Sequence, residues 1–173
     1  MSFGSLTRGL AALRSISLIL AVLAALAPIA HVLELPNKLA LDAPLWLAVQ
    51  QHLYRGWGPF LGGPAETAAL ASALALTVAR RCDPATRRLT LVAALAYAGM
   101  IAAFFVFNDP VNAVLSSWTP ADIPADWSRC RVRWETGHAL AAALAVIALA
   151  ALMRAWVIER DRAVAAGGRP PQA

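Results

Sequence analysis

The sequence predicts an all-α fold, a bundle of four transmembrane helices with a short interfacial helix in the first outer loop, and three observations predict it. The 173 residues are 60% hydrophobic and only 14% charged, with a mean hydropathy of +0.60, well outside the habit of soluble domains. Apolar runs recur over residues 15–33, 64–79, 89–107 and 134–158, each near the roughly 20 residues that a helix needs to cross the hydrocarbon. Arginines collect at the ends of these runs instead of forming a helical stripe with interleaved aromatics. The net charge of +5 therefore reads as topology, and nucleic acid is excluded as a partner.

The chain reads as one integral membrane domain over residues 1–162 with a disordered tail over 163–173, where Gly167, Gly168, Pro170 and Pro171 fall. Residues 1–14 form an amphipathic lead carrying Arg8 and Arg14. The apolar run behind it resembles a signal peptide. Pro28 directly follows the small-residue site at Ala27, however, and the run continues to Leu35, so an uncleaved first membrane helix is expected. The second run is short and Ala-rich, which suits a shielded place inside the bundle.

Arginines decide the expected orientation. The lead, the connection with Arg80, Arg81, Arg87 and Arg88, and the tail with Arg154, Arg160, Arg162 and Arg169 alternate along the chain, which makes this a multi-pass cell-membrane protein with both termini cytoplasmic. Cys82 and Cys130 then fall on opposite faces and should not pair. The two longer connections face outward. They hold Trp46, Trp57, Trp118 and Trp127, with Trp134 opening the fourth helix, a set of amphipathic rings suited to an interfacial layer. In the first of them, Pro44 opens a short surface helix over residues 43–54, and Gly56, Gly58, Pro59, Gly62 and Gly63 make the turn-rich link that follows. Arg129, Arg131 and Arg133 lie on the outer side against the charge rule and need another reason.

Alternation of direction brings the polar residues to one depth. The first helix reads His31-x-x-Glu34 going outward and the fourth reads Glu135-x-x-His138 going inward. An antiparallel pair sets the two histidines level, with the two glutamates level above them, and residues three apart share a face. Glu66 can add a third carboxylate. His31, Glu34, Glu66, Glu135 and His138 are thus candidate ligands for a transition metal such as iron or copper, in the manner of bundle sites built from Glu and Glu-x-x-His.

Plainer readings stand beside this one. Glu34 can pair with Lys38, Glu135 with Arg131 or Arg133, and Glu66 can simply favour a helix N-terminus. His52 reads as a surface residue, and Asn108 and Asn112 as caps tying the end of the third helix to the outer loop. No cofactor is required by the sequence: a histidine beside a carboxylate can act as a base, and Arg133 can hold a developing anion.

The pattern His31 with Leu35-Pro36, Asn108-Asp109-Pro110-Val111-Asn112, Trp118, Asp126-Trp127 and Arg133-Trp134-Glu135-x-x-His138 resembles the anthrone-oxygenase-like family of small membrane proteins. The resemblance spans about residues 16–153. It implies four helices and, from the fungal members, oxidation of anthrones to anthraquinones by molecular oxygen; many bacterial relatives are domains of unknown function. Carried over by position, Asn108, Pro110, Asn112, Trp118, Arg133, Trp134 and His138 are the family-like residues.

Two functions follow as expectations. One is an oxidoreductase that takes an apolar aromatic or quinol-like substrate from the bilayer together with O2, with His138, His31, Arg133, Asn108 and Asn112 as its catalytic set and His138 deprotonating a phenolic substrate. The alternative is a non-enzymatic membrane subunit that binds haem, metal or a partner protein. A transporter fits less well, because the cytoplasmic half of the bundle is almost wholly apolar.

Overall fold

The computed structural model describes residues 3–167. Six α-helices follow in order: α1 (Phe3–Leu39), α2 (Ala43–Ala48), α3 (Gly63–Ala79), α4 (Pro84–Ala103), α5 (Asp109–Leu115) and α6 (Trp127–Gly167). Three π-helical turns interrupt them, Val49–Leu53 and Gly58–Gly62 between α2 and α3, and Phe104–Asn108 between α4 and α5. Four helical stretches are long and apolar enough to cross a membrane. α1 packs on α3 and α6, and α4 packs on the same two, so the bundle is a square with α1 diagonal to α4.

The helices outrun the expected spans at most ends. α1 has 37 residues and α6 has 41, about 55 and 60 Å at 1.5 Å per residue. Both exceed the roughly 30 Å of hydrocarbon, so apolar length marks the buried part of a helix and not its ends. The third span is corrected most: it starts at Asp83, whose carboxylate caps Ala85 N–H at 3.2 Å and Thr86 N–H at 3.4 Å, and runs through the π turn to Leu115. The expected tail is corrected too, since α6 continues through Gly167; the later tail positions lie outside the described residues.

The core is made of small side chains. Ala21, Ala24, Ala69, Ala73, Ala93, Ala94, Ala145 and Ala148 are buried together around Tyr97 and Met100. Lipid is as apolar as leucine, so association rests on close backbone approach, which alanine permits. Ile16, Ile19, Leu26, Val78, Leu95 and Val146 point outward, as a lipid-facing surface requires. Across α3 and α4, the Thr77 hydroxyl donates to that of Thr90 at 3.0 Å.

Ion pairs close the end of the bundle where α1 begins and α6 ends. Arg14 and Arg80 both reach Glu159, and Arg162 lies 2.5 Å from Asp83. Desolvation raises the Asp83 carboxyl, but hydrogen bonds from Thr86 and the charge of Arg162 outweigh it and hold the group below its usual range.

The opposite end carries a second core over the bundle. Trp46, Leu47, Tyr54, Val111, Leu115 and Trp134 are buried together there. α2 opens on Asp42, which accepts from Leu45 N–H at 3.0 Å, with Pro44 in its first turn. The surface helix expected over residues 43–54 is therefore α2 plus a π turn. Its Trp46 is fully buried, a correction to an interfacial role for that ring. Gln51 ties this cap to the third span, donating to the carbonyls of Leu115 and Trp118 at 2.8 and 2.9 Å.

Candidate functional site: a histidine pair at a capped cavity

α1 presents His31, Glu34 and Lys38 along one face, and α6 presents Trp134, Glu135 and His138 against it. The antiparallel meeting expected from the sequence brings the two imidazoles together, with ring centroids 4.1 Å apart. His31 is 2% exposed. Aromatic rings wrap the pair: Trp134 lies 4.1 Å from His138 and 4.7 Å from His31, while Tyr54 and Trp57 stand 4.5 and 5.5 Å from His31. Trp134 and His138 are four apart on one helix, so a single face of α6 supplies both.

The two glutamates take different partners, so the pairing is not symmetric. Glu135 Oε2 accepts from Lys38 Nζ at 2.7 Å, with both side chains nearly buried. The Lys38 ammonium also lies 4.9 Å from the Trp134 ring, so the pair is screened by aromatic faces. Glu34 instead accepts a hydrogen bond from the Tyr54 hydroxyl and lies 3.6 Å from His31 Nδ1. The plainer pairings of Glu34 with Lys38, and of Glu135 with Arg131 or Arg133, are thereby replaced.

Arg129, Arg131 and Arg133, at the cavity end, receive the reason they lacked. Pro110 has no N–H to offer the carbonyl four residues back. Arg133 supplies that carbonyl, on Val106, at 2.5 Å. Arg131 donates to the carbonyls of Leu39 and Leu41 at 3.4 and 3.2 Å and stacks 4.5 Å over Trp127. Arg129 lies 3.8 Å from Asp126. Each satisfies backbone or a neighbouring charge where the chain leaves regular helix.

A cavity of about 1050 Å³ opens beside the histidine pair, walled by His31, His138, Trp134, Glu66, Phe104 and Phe105. That volume suits a ligand of several fused rings. Glu66 reaches it from the first turn of α3. Asn112 is on the wall and accepts from Trp134 Nε1 at 3.0 Å. Asn108 is buried behind it, donating to the Trp134 carbonyl at 2.9 Å. Both asparagines therefore hold Trp134, not the end of a helix, a correction to the capping role; among the catalytic set expected from the sequence, only His31, His138 and Asn112 line the cavity. Arg133 is exposed and outside the lining, so its expected place at a developing anion is withdrawn.

The five expected metal ligands do not converge. Among the described residues no three His, Cys, Asp or Glu side chains form a group able to hold a metal ion. Glu135 is committed to Lys38 and Glu34 to Tyr54, so the donor set does not fit a metal centre. Cys82 and Cys130 are free thiols.

Sequence reasoning missed Tyr54 and Gly137, and it offered Lys38 to Glu34 and not to Glu135. Lys38 is seven residues beyond His31, on the same face, and extending the first helix past Pro36 would have placed it at the site. Tyr54 gives no signal, because its place depends on the fold of the cap. Gly137 lies where a Cβ would meet Asn108 Oδ1 at 2.2 Å and Phe107 Cβ at 2.7 Å; a glycine between Glu135 and His138 was a legible hint of close approach.

No protein-family model matches the sequence, and no curated protein or solved structure matches it.

Proposed function

We propose that this integral membrane protein binds an apolar aromatic ligand from the bilayer and oxidises it with O2, using imidazole as base and no metal, in the manner of the anthrone-oxygenase-like family it resembles. The observation that carries the reading is the His31–His138 pair, buried among aromatic rings on the wall of a cavity of about 1050 Å³. Rings of Trp134, Trp57 and Phe104 suit a flat apolar substrate, and the imidazoles and Asn112 supply the few polar groups that such a pocket needs.

The chemistry balances without a further reductant. An imidazole takes a proton from the activated CH2 of an anthrone-like substrate, and the carbanion adds O2. The resulting peroxide takes the proton back, then loses water to leave a carbonyl. One substrate and one O2 give one quinone and one water. General-base action is worth about 10²- to 10⁴-fold.

We place the cavity on the non-cytoplasmic side of the cell membrane, with both termini cytoplasmic. Arg8, Arg14, Arg80, Arg81, Arg87, Arg88, Arg154, Arg160 and Arg162 lie at the other end. Cations at the cavity end have local work, as Lys38, Arg131 and Arg133 illustrate.

The test is anthrone-dependent oxygen uptake by the purified protein in lipid nanodiscs. Wild type should consume one O2 per anthraquinone formed, and removal of both imidazoles in His31→Ala/His138→Ala should cost at least about 100-fold. A folded wild type with no uptake would leave a binding or assembly subunit instead.

A further inference from the structure

The two histidines are not equivalent, and the difference lies outside the cavity. His31 Nδ1 is fully buried with no hydrogen bond, yet Glu34 Oε2 stands 3.6 Å away. That gap is slightly too long for a hydrogen bond and close enough for the carboxylate charge to act on the ring. Glu34 is held in turn: Tyr54 donates its hydroxyl to the same oxygen. Tyr54 comes from the cap, not the bundle, and its ring stacks on Trp134 at 5.7 Å. No carboxylate pairs with His138 among the described residues; its ring faces His31 and Trp134.

A carboxylate fixed beside one imidazole nitrogen selects the tautomer that puts the proton there and leaves the other nitrogen as acceptor. It also stabilises the imidazolium once that second nitrogen has taken a proton, the logic of a base with its own orienting group. We propose that His31 is the base of this site and that Glu34, clamped by Tyr54, is its positioning residue, holding the proton on Nδ1 and freeing Nε2 for the ligand. His138 then packs the second face of the site and contacts the ligand without a partner to take its charge.

The arrangement makes assembly of the site depend on the cap. Tyr54 reaches Glu34 only when the segment between α2 and α3 folds over the bundle, so the base is oriented when the cavity is covered. The proposal rests on the oxidation reading for its kinetic consequence, while its tautomer can be read in the resting protein.

The experiment therefore has two arms on the full chain in nanodiscs. In ¹⁵N spectra of histidine-labelled protein, with His31→Gln used for assignment, wild-type His31 should carry its proton on Nδ1, and Glu34→Gln should abolish that preference. A wild-type His31 protonated on Nε2 overturns the proposal whatever the activity. In oxygen uptake, Glu34→Gln should lower kcat about 100-fold with KM nearly unchanged, Tyr54→Phe less, and Glu34→Asp should recover part of the loss. Full activity in Glu34→Gln beside an inactive His31→Ala/His138→Ala would sink the positioning role and leave the oxidation reading standing. No uptake in wild type with the Nδ1 tautomer present would do the reverse.

Discussion

Lys38 and Glu135 show how much a single side chain decides at this depth. Their side chains are 4% and 8% exposed, and their bond of 2.7 Å joins the cavity-side ends of α1 and α6. Removing one partner of such a pair leaves an uncompensated buried charge, at a cost of about 3–5 kcal/mol, while replacing both with apolar groups is far milder. Lys38→Met should therefore lower the melting temperature of the detergent-purified protein strongly, and Lys38→Met with Glu135→Leu should recover most of the loss. Equal melting of single and double variants would mean that the pair is not coupled. Lys38 also borders Trp134 and Tyr54, so the single variant should disturb ligand binding as well as stability.

At the level of elements, the third span is built around one irregularity. The π turn Phe104–Asn108 followed by Pro110 breaks the regular ladder, and π turns inside helices tend to mark functional sites. Here the turn swings Asn108 across to the Trp134 carbonyl, and Arg133 takes the orphaned Val106 carbonyl. Close contact is possible only because α6 has Gly137 opposite. Gly137→Ala should force the two elements apart at a cost of about 1–3 kcal/mol, read as a lower melting temperature, and should weaken aromatic ligand binding by displacing Trp134 and His138. Gly9→Ala, where the added carbon meets nothing within 4 Å, should be mildly stabilising, by up to about 1 kcal/mol from helix propensity, and serves as the control. Comparable melting of the two variants would show that the π turn does not lean on Gly137.

For the whole molecule, the division into an arginine-rich closed end and a capped, hollow end sets the expected function and its orientation. Ser117 is exposed in the connection at the cavity end and Cys82 in the one at the opposite end. In a Cys130→Ser background, Ser117→Cys should react with a membrane-impermeant maleimide on intact cells, whereas Cys82 should react only after lysis. The reversed pattern would invert the protein and turn the cavity toward the cytoplasm. Such labelling needs no substrate, so it separates the question of orientation from that of chemistry.

Hydropathy by itself determined the membrane class, the four crossings and their alternation, because about 20 consecutive apolar residues have few other homes than lipid. It determined the depth of His31 and His138 as well: antiparallel helices with polar residues at matching ends must bring those ends level. Tertiary structure decided the partners. Whether Glu34 meets Lys38 or Tyr54, and whether Glu135 meets an arginine on its own helix or Lys38 across the bundle, depends on rotation about helix axes that the near-uniform alanine core leaves open to the sequence reader. The cap is the larger surprise, since Trp46 and Tyr54 gain their places only when residues far apart in the chain close over the bundle. That closure turned an expected set of metal ligands into an ion pair, a clamped glutamate and two adjoining imidazoles tilted against each other.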